Sequence, residues 1–128
     1  MHAATALAAV VLTCRDLPAS VRFYRALGLD VRETKHGGPA HFTCGIAGVH
    51  FALYPHDGVE RGPQSASQLG FMISNLEGAL EALKTAGGKI LQGAAPKPWG
   101  VTALLEDPDG RRVELVATKT EVTGPMPF

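Results

Sequence analysis

Hydrophobic positions along the chain change period in a fixed order, and then repeat that order. Residues 6–14 (ALAAVVLTC) form a short apolar run, β-branched in its second half, that predicts a mostly buried strand. Asp16 follows as a helix N-cap, with Pro18 in the first turn. Leu17, Val21, Tyr24 and Leu27 then recur at helical spacing, and Gly28 closes a helix predicted over 17–27. Strands are predicted over 29–35, 40–46 and 49–55, separated by Gly37-Gly38-Pro39 and by Ala47-Gly48. Residues 56–67 (HDGVERGPQSAS) are polar and carry Gly and Pro, which predicts a linker.

The pattern then restarts. Residues 68–74 predict a strand, Asn75 an N-cap, and 76–86 a helix with Leu76, Leu80 and Leu83 on one face. Gly87-Gly88 ends it, and strands are predicted over 89–92, 101–106 and 111–117. At an offset of 59 residues, Asp16-Leu17 falls on Asn75-Leu76, Val21 on Leu80, Tyr24 on Leu83 and Gly28 on Gly87. Near the last strands the offset is 62, where Gly48 falls on Gly110 and Leu53 on Leu115. The chain is therefore βαβββ written twice, an α+β architecture. Module 1 covers about 6–55, module 2 about 68–117, and the tail 118–128 has no periodicity.

One strand carries a residue out of keeping with its neighbours. The last strand follows Asp107-Pro108-Asp109-Gly110, a turn in which Pro sets φ and Gly accepts φ > 0. Glu114 stands between Val113 and Leu115 and so points to the opposite face. Either that face is solvent and Glu114 is a surface charge, or it lines a ligand site.

Composition narrows the partners. The formal net charge is zero, and no basic block is present, which argues against nucleic acid and against an anionic membrane. The apolar opening lacks the features of a signal peptide and is too short to span a bilayer. Cys14 and Cys44 have no metal-binding spacing; they read as buried thiols in a reducing cytoplasm, with a disulfide as the alternative.

The duplicated unit resembles the vicinal oxygen chelate superfamily, which includes glyoxalase I, bleomycin resistance proteins, fosfomycin resistance enzymes and extradiol dioxygenases. The resemblance is carried by Asp16-Leu17-Pro18-Ala19-Ser20, Phe23-Tyr24 and Leu27-Gly28-Leu29 in the first half. In the second half it is carried by Trp99-Gly100 and by Asp107-Pro108-Asp109-Gly110 through Val113-Glu114-Leu115. It implies two βαβββ modules, each a curved half-barrel sheet, that together build a cleft. It also implies metal ligands on the first and last strand of each module, positions held here by Ala9, Ala52, Gln68 and Glu114. Two alanines have no ligand atom, and Gln68 offers only a neutral amide oxygen. Glu114 alone is a strong ligand for a hard metal. A homodimer follows from the same resemblance.

Strand alternation assigns the face opposite the helices. It carries Ala9, Val11 and Thr13 on the first strand, then His50, Ala52 and Tyr54 on the fourth. On the fifth it carries Gln68, Gly70 and Met72, and on the last Arg112, Glu114 and Val116. This is an apolar face with a few polar groups, as a small-molecule site requires. The ligand-binding candidates are therefore Thr13, His50, Tyr54, Gln68, Met72, Trp99, Arg112 and Glu114. His50 reads as a pocket or edge histidine. His41 lies on a middle strand of uncertain register, and Trp99 is either a lid or a cover for the core edge. Gln68 is the expected hydrogen-bond donor to Glu114, with Arg112 second.

Two function classes follow. The first is a metal-independent protein that binds a small organic ligand or antibiotic, with no cofactor. The second is a metal-dependent lyase, isomerase or extradiol-type dioxygenase that uses one divalent metal on Gln68 and Glu114. Any catalytic residue would be Glu114. A third reading is a pseudo-enzyme that only scaffolds a partner.

Overall fold

The computed structural model describes residues 2–35 and 37–117. It divides into two compact units, Met1–Glu60 and Arg61–Phe128. The tail 118–128 lies outside the described residues.

Unit 1 contains β1 (Ala9–Cys14), α1 (Leu17–Ala26), β2 (Arg32–Thr34), β3 (His41–Ile46) and β4 (Val49–Pro55). Its sheet has the order β1-β4-β3-β2, with β1 parallel to β4 and the other pairs antiparallel. The Asp16 side chain accepts from the Ala19 N–H at 3.1 Å, satisfying one of the orphan donors of α1. Gly28, at φ 104°, lets the chain leave the helix, and Leu29 N–H donates back to the Tyr24 carbonyl at 3.0 Å. The apolar side of α1 packs by an edge-to-face pair, Phe23 with Tyr24, and Tyr24 meets Phe51 of β4 at 5.2 Å. Phe23, Tyr24, Val31, Leu53 and Cys14 are fully buried with them.

Unit 2 repeats the plan with β5 (Gln68–Met72), α2 (Leu76–Thr85), β6 (Lys89–Lys97), β7 (Gly100–Glu106) and β8 (Arg112–Ala117). Its order is β5-β8-β7-β6, again with the first pair parallel. Asn75 accepts from Gly78 N–H at 3.1 Å, the counterpart of the Asp16 cap. The βαβββ duplication read from the sequence is therefore the architecture of the chain, an α+β fold of two four-stranded mixed sheets with two helices. A single 3₁₀ turn, Gln64–Ala66, precedes β5 inside the polar stretch read as a linker.

Three predicted segments change by three residues or more at one end. β1 begins at Ala9 rather than residue 6, since its partner β4 begins at Val49 and pairs His50 with Ala9. Residues 29–31 are not strand: Leu29 and Val31 are buried under the helix exit, and only Arg32–Thr34 pairs. The strand predicted over 89–92 continues through Pro96 to Lys97 as β6. β6 is an edge strand with two register shifts, which is where a Pro without an N–H and extra residues are tolerated.

Candidate functional site

In unit 1 the two-residue turn Ala47-Gly48, both at positive φ, sets the register of β3 on β4. That register places His41 beside Tyr54, and their rings stack at 4.1 Å with 9° between planes. His41 Nδ1 lies 3.0 Å from the Pro39 carbonyl oxygen, which can only accept, so Nδ1 carries a proton. His41 is 6% exposed despite its polarity. Thr34 is the cross-strand partner of His41, and its Oγ1 lies 3.2 Å from Thr43 Oγ1. Thr13 pairs with Tyr54 across β1 and β4, and Ala52 stands between Val11 and Thr43. His41, Tyr54, Thr13, Thr34 and Thr43 thus form one polar group on one face. His50 lies at the other end of that face, exposed, between Ala9 and Gly45.

The sequence reading left His41 open and did not name Thr34 or Thr43. The Ala47-Gly48 turn was the available signal, since it fixes the register of the whole β3–β4 hairpin.

In unit 2, Glu114 is half-buried and stands between Gly70 on β5 and Leu104 on β7. Gln68 stands opposite Arg112 instead, and Arg112 also faces Glu106. The expected Gln68–Glu114 hydrogen bond is not formed, and Arg112 makes no ion pair with Glu114. The parallel register places both candidates two residues along the strand from the carboxylate. Among the described residues the Glu114 side chain makes no hydrogen bond or ion pair. Met72 is 63% exposed on the edge strand β5, and Trp99 is half-buried in the turn joining β6 to β7.

A stronger electrostatic feature lies beside this face. Asp107 Oδ1 accepts from the Asp109 and Arg111 N–H groups at 2.9 and 3.0 Å, and Oδ2 meets Arg111 Nη1 at 3.1 Å. Both side chains are almost fully buried. The sequence reading saw the turn but not that its first Asp and the following Arg close it as an ion pair.

Metal-binding capacity is limited by residue type. No group of three or more His, Cys, Asp or Glu among the described residues is arranged to hold a metal ion. Within unit 2, Gln68 and Glu114 supply one amide and one carboxylate oxygen on one face, with the Arg112 cation beside them. This donor set does not fit a metal of the kind the resemblance implies. Neither Cys14 nor Cys44 is in a disulfide. Burial pushes the Cys44 thiol up, and the nearby Asp30 charge adds to the effect. No helix among the described residues is long and apolar enough to cross a membrane.

Residues 6–115 match the Glyoxalase/Bleomycin resistance protein/Dioxygenase superfamily, and the chain belongs to it. It is 25% identical over 126 residues to a lactoylglutathione lyase of Haemophilus influenzae, covering 89% of this chain and 93% of that protein. A glyoxylase/bleomycin resistance protein/dioxygenase domain from a Frankia species superposes with a TM-score of 0.69 at 25% identity, over 91% of this chain and 100% of the other. TnmS3, an antibiotic binding protein from a Streptomyces species, superposes at 0.68 with 19% identity, over 93% and 100%.

Proposed function

We propose that this chain is a metal-independent small-molecule-binding protein, holding an organic ligand or antibiotic against the sheet faces opposite its helices. One observation carries the reading. Ala9 and Ala52, which stand where the superfamily resemblance implies ligands, offer only methyl groups, while polar groups on the same face of unit 1 (His41, Tyr54 and Thr13) remain to orient a molecule, and unit 2 keeps Glu114 on its own face. The superposition on an antibiotic binding protein supports the same class. Glu114 accepts an N–H or a cation of the ligand, since a half-buried carboxylate with no hydrogen bond or ion pair among the described residues is stabilised by one. The protein works as a cytoplasmic homodimer on this reading, and light scattering at micromolar concentration tests the dimer.

The competing reading is a metal-dependent lyase, favoured by the similarity to lactoylglutathione lyase. A thermal-shift screen of small organic molecules, run with and without a chelator, separates the two. A ligand that binds the folded state raises Tm. A ligand whose shift survives chelation supports the proposal, and one whose shift vanishes overturns it.

A further inference from the structure

The group on unit 1 that most needs a partner from outside the protein is His41. Its ring is held twice: Nδ1 bonds the Pro39 carbonyl at 3.0 Å, and the flat of the imidazole lies on Tyr54. The residue is 94% withdrawn from solvent, since only 6% is exposed. Burying a polar ring this deeply is costly unless both nitrogens are satisfied. The Pro39 carbonyl satisfies one. Nε2 has no hydrogen-bond partner among the described residues. A proton on Nδ1 leaves Nε2 of the neutral imidazole as an acceptor.

The surroundings narrow the chemistry. Tyr54, Thr34 and Thr43 share the face with His41 and add three hydroxyls. No carboxylate stands next to His41 in the sheet: its neighbours there are Thr34 and Tyr54. Fixed orientation matters because a preset acceptor loses little freedom when the ligand arrives.

We infer that His41 is the ligand-reading residue of unit 1, its Nε2 accepting a hydrogen bond from a hydroxyl or N–H group of the bound molecule. The inference deepens the proposed function and rests on its placing a ligand at this face. Molecules with a donor at the ring edge are selected, and analogues with that donor capped are rejected because Nε2 would then lose its water without replacement.

The test uses the full chain labelled with nitrogen-15 and a matched pair of probes, phenol and anisole, which differ by a methyl group on the oxygen. Long-range proton–nitrogen spectra of the imidazoles report the tautomer and the response of each nitrogen. The expected result is a proton on Nδ1 of His41, a shift of Nε2 on adding phenol, and binding about five-fold tighter than for anisole, the effect of one neutral hydrogen bond. His41→Phe, which keeps a ring to stack on Tyr54, should abolish that preference. A proton on Nε2 in the unliganded protein, an equal response to anisole, or no His41 response to phenol would each overturn the inference. If His41→Phe does not fold, the wild-type comparison alone decides. A metal found on the chain would defeat the metal-independent reading but leave this comparison unaffected, so the two failures are distinguishable.

Discussion

Glu114 of β8 stands in register with Gly70 of β5, a residue with no side chain, across a parallel strand pair. The carboxylate therefore has no side chain opposite it on β5 and Leu104 opposite it on β7, and among the described residues it makes no hydrogen bond or ion pair. Replacing it by Gln removes charge without removing a bond that holds the fold. Glu114→Gln should leave the urea midpoint within about 0.5 kcal/mol of wild type, as for a substitution away from structural contacts. Binding of a ligand found in the thermal-shift screen should weaken by about 1.5–3 kcal/mol, the range for a hydrogen bond to a charged group. Equal calorimetric affinity in both proteins would show that Glu114 takes no part.

Asp107 is the opposite case. It accepts from two backbone N–H groups and pairs with buried Arg111. Removing it takes the acceptor from both N–H groups and the nearer carboxylate from Arg111, leaving Asp109 Oδ2 at 3.5 Å from Nη1, and breaking one side of a buried pair costs about 3–5 kcal/mol. Asp107→Ala should fall in that range by urea unfolding. Arg111→Met, which removes the buried charge as well, should restore part of the loss in the double variant.

Ala47 holds φ 49° in the β3–β4 turn, a conformation that favours Gly or Asn. Ala47→Gly or Ala47→Asn should therefore stabilise the protein by roughly 0.5–1 kcal/mol, seen as a higher Tm. A drop in Tm for both would mean that the side chain at this turn is held by something other than backbone conformation.

The Cys44 thiol has its pKa raised by burial, with Asp30 adding to it. A raised value keeps the neutral thiol in the fold after the unfolded chain has begun to ionise. The stability it contributes is present below the unfolded pKa and declines as pH rises toward the folded one. Alkylation of Cys44 at neutral pH should accordingly be slower than that of a solvated thiol, and Cys14, fully buried, should react only on unfolding. Mass spectrometry after timed iodoacetamide treatment measures both, and fast labelling of Cys44 at pH 7 would contradict the assignment.

The fold was legible because the repeat was. Gly28 and Gly87 both take positive φ at helix exits, and Asp16 and Asn75 both cap, so one pattern read twice gave the order of elements. The bounds of β4 were read without change, since its apolar residues lie between the Ala47-Gly48 turn and the polar stretch that starts at His56. Pro96 misled because local propensity excludes it from a strand, whereas an edge position removes the penalty. The site was less legible. Membership of a common face follows from period 2, but cross-strand partners need the register, and the offset of two residues that puts Gln68 on Arg112 rather than Glu114 is invisible in a list of alternating residues. His41 could have been placed, because the Ala47-Gly48 turn counts back from Ile46 and Val49 to His41 beside Tyr54.

Elemental analysis of untagged protein, with the melting temperature recorded before and after chelation, tests the central claim most directly. The alanines at positions 9 and 52 and the lone carboxylate at 114 lead to the expected result: no divalent metal in stoichiometric amount, and a Tm unchanged by chelator. One equivalent of Zn, Ni, Mn or Fe per chain, with a Tm that falls when it is removed, would contradict it.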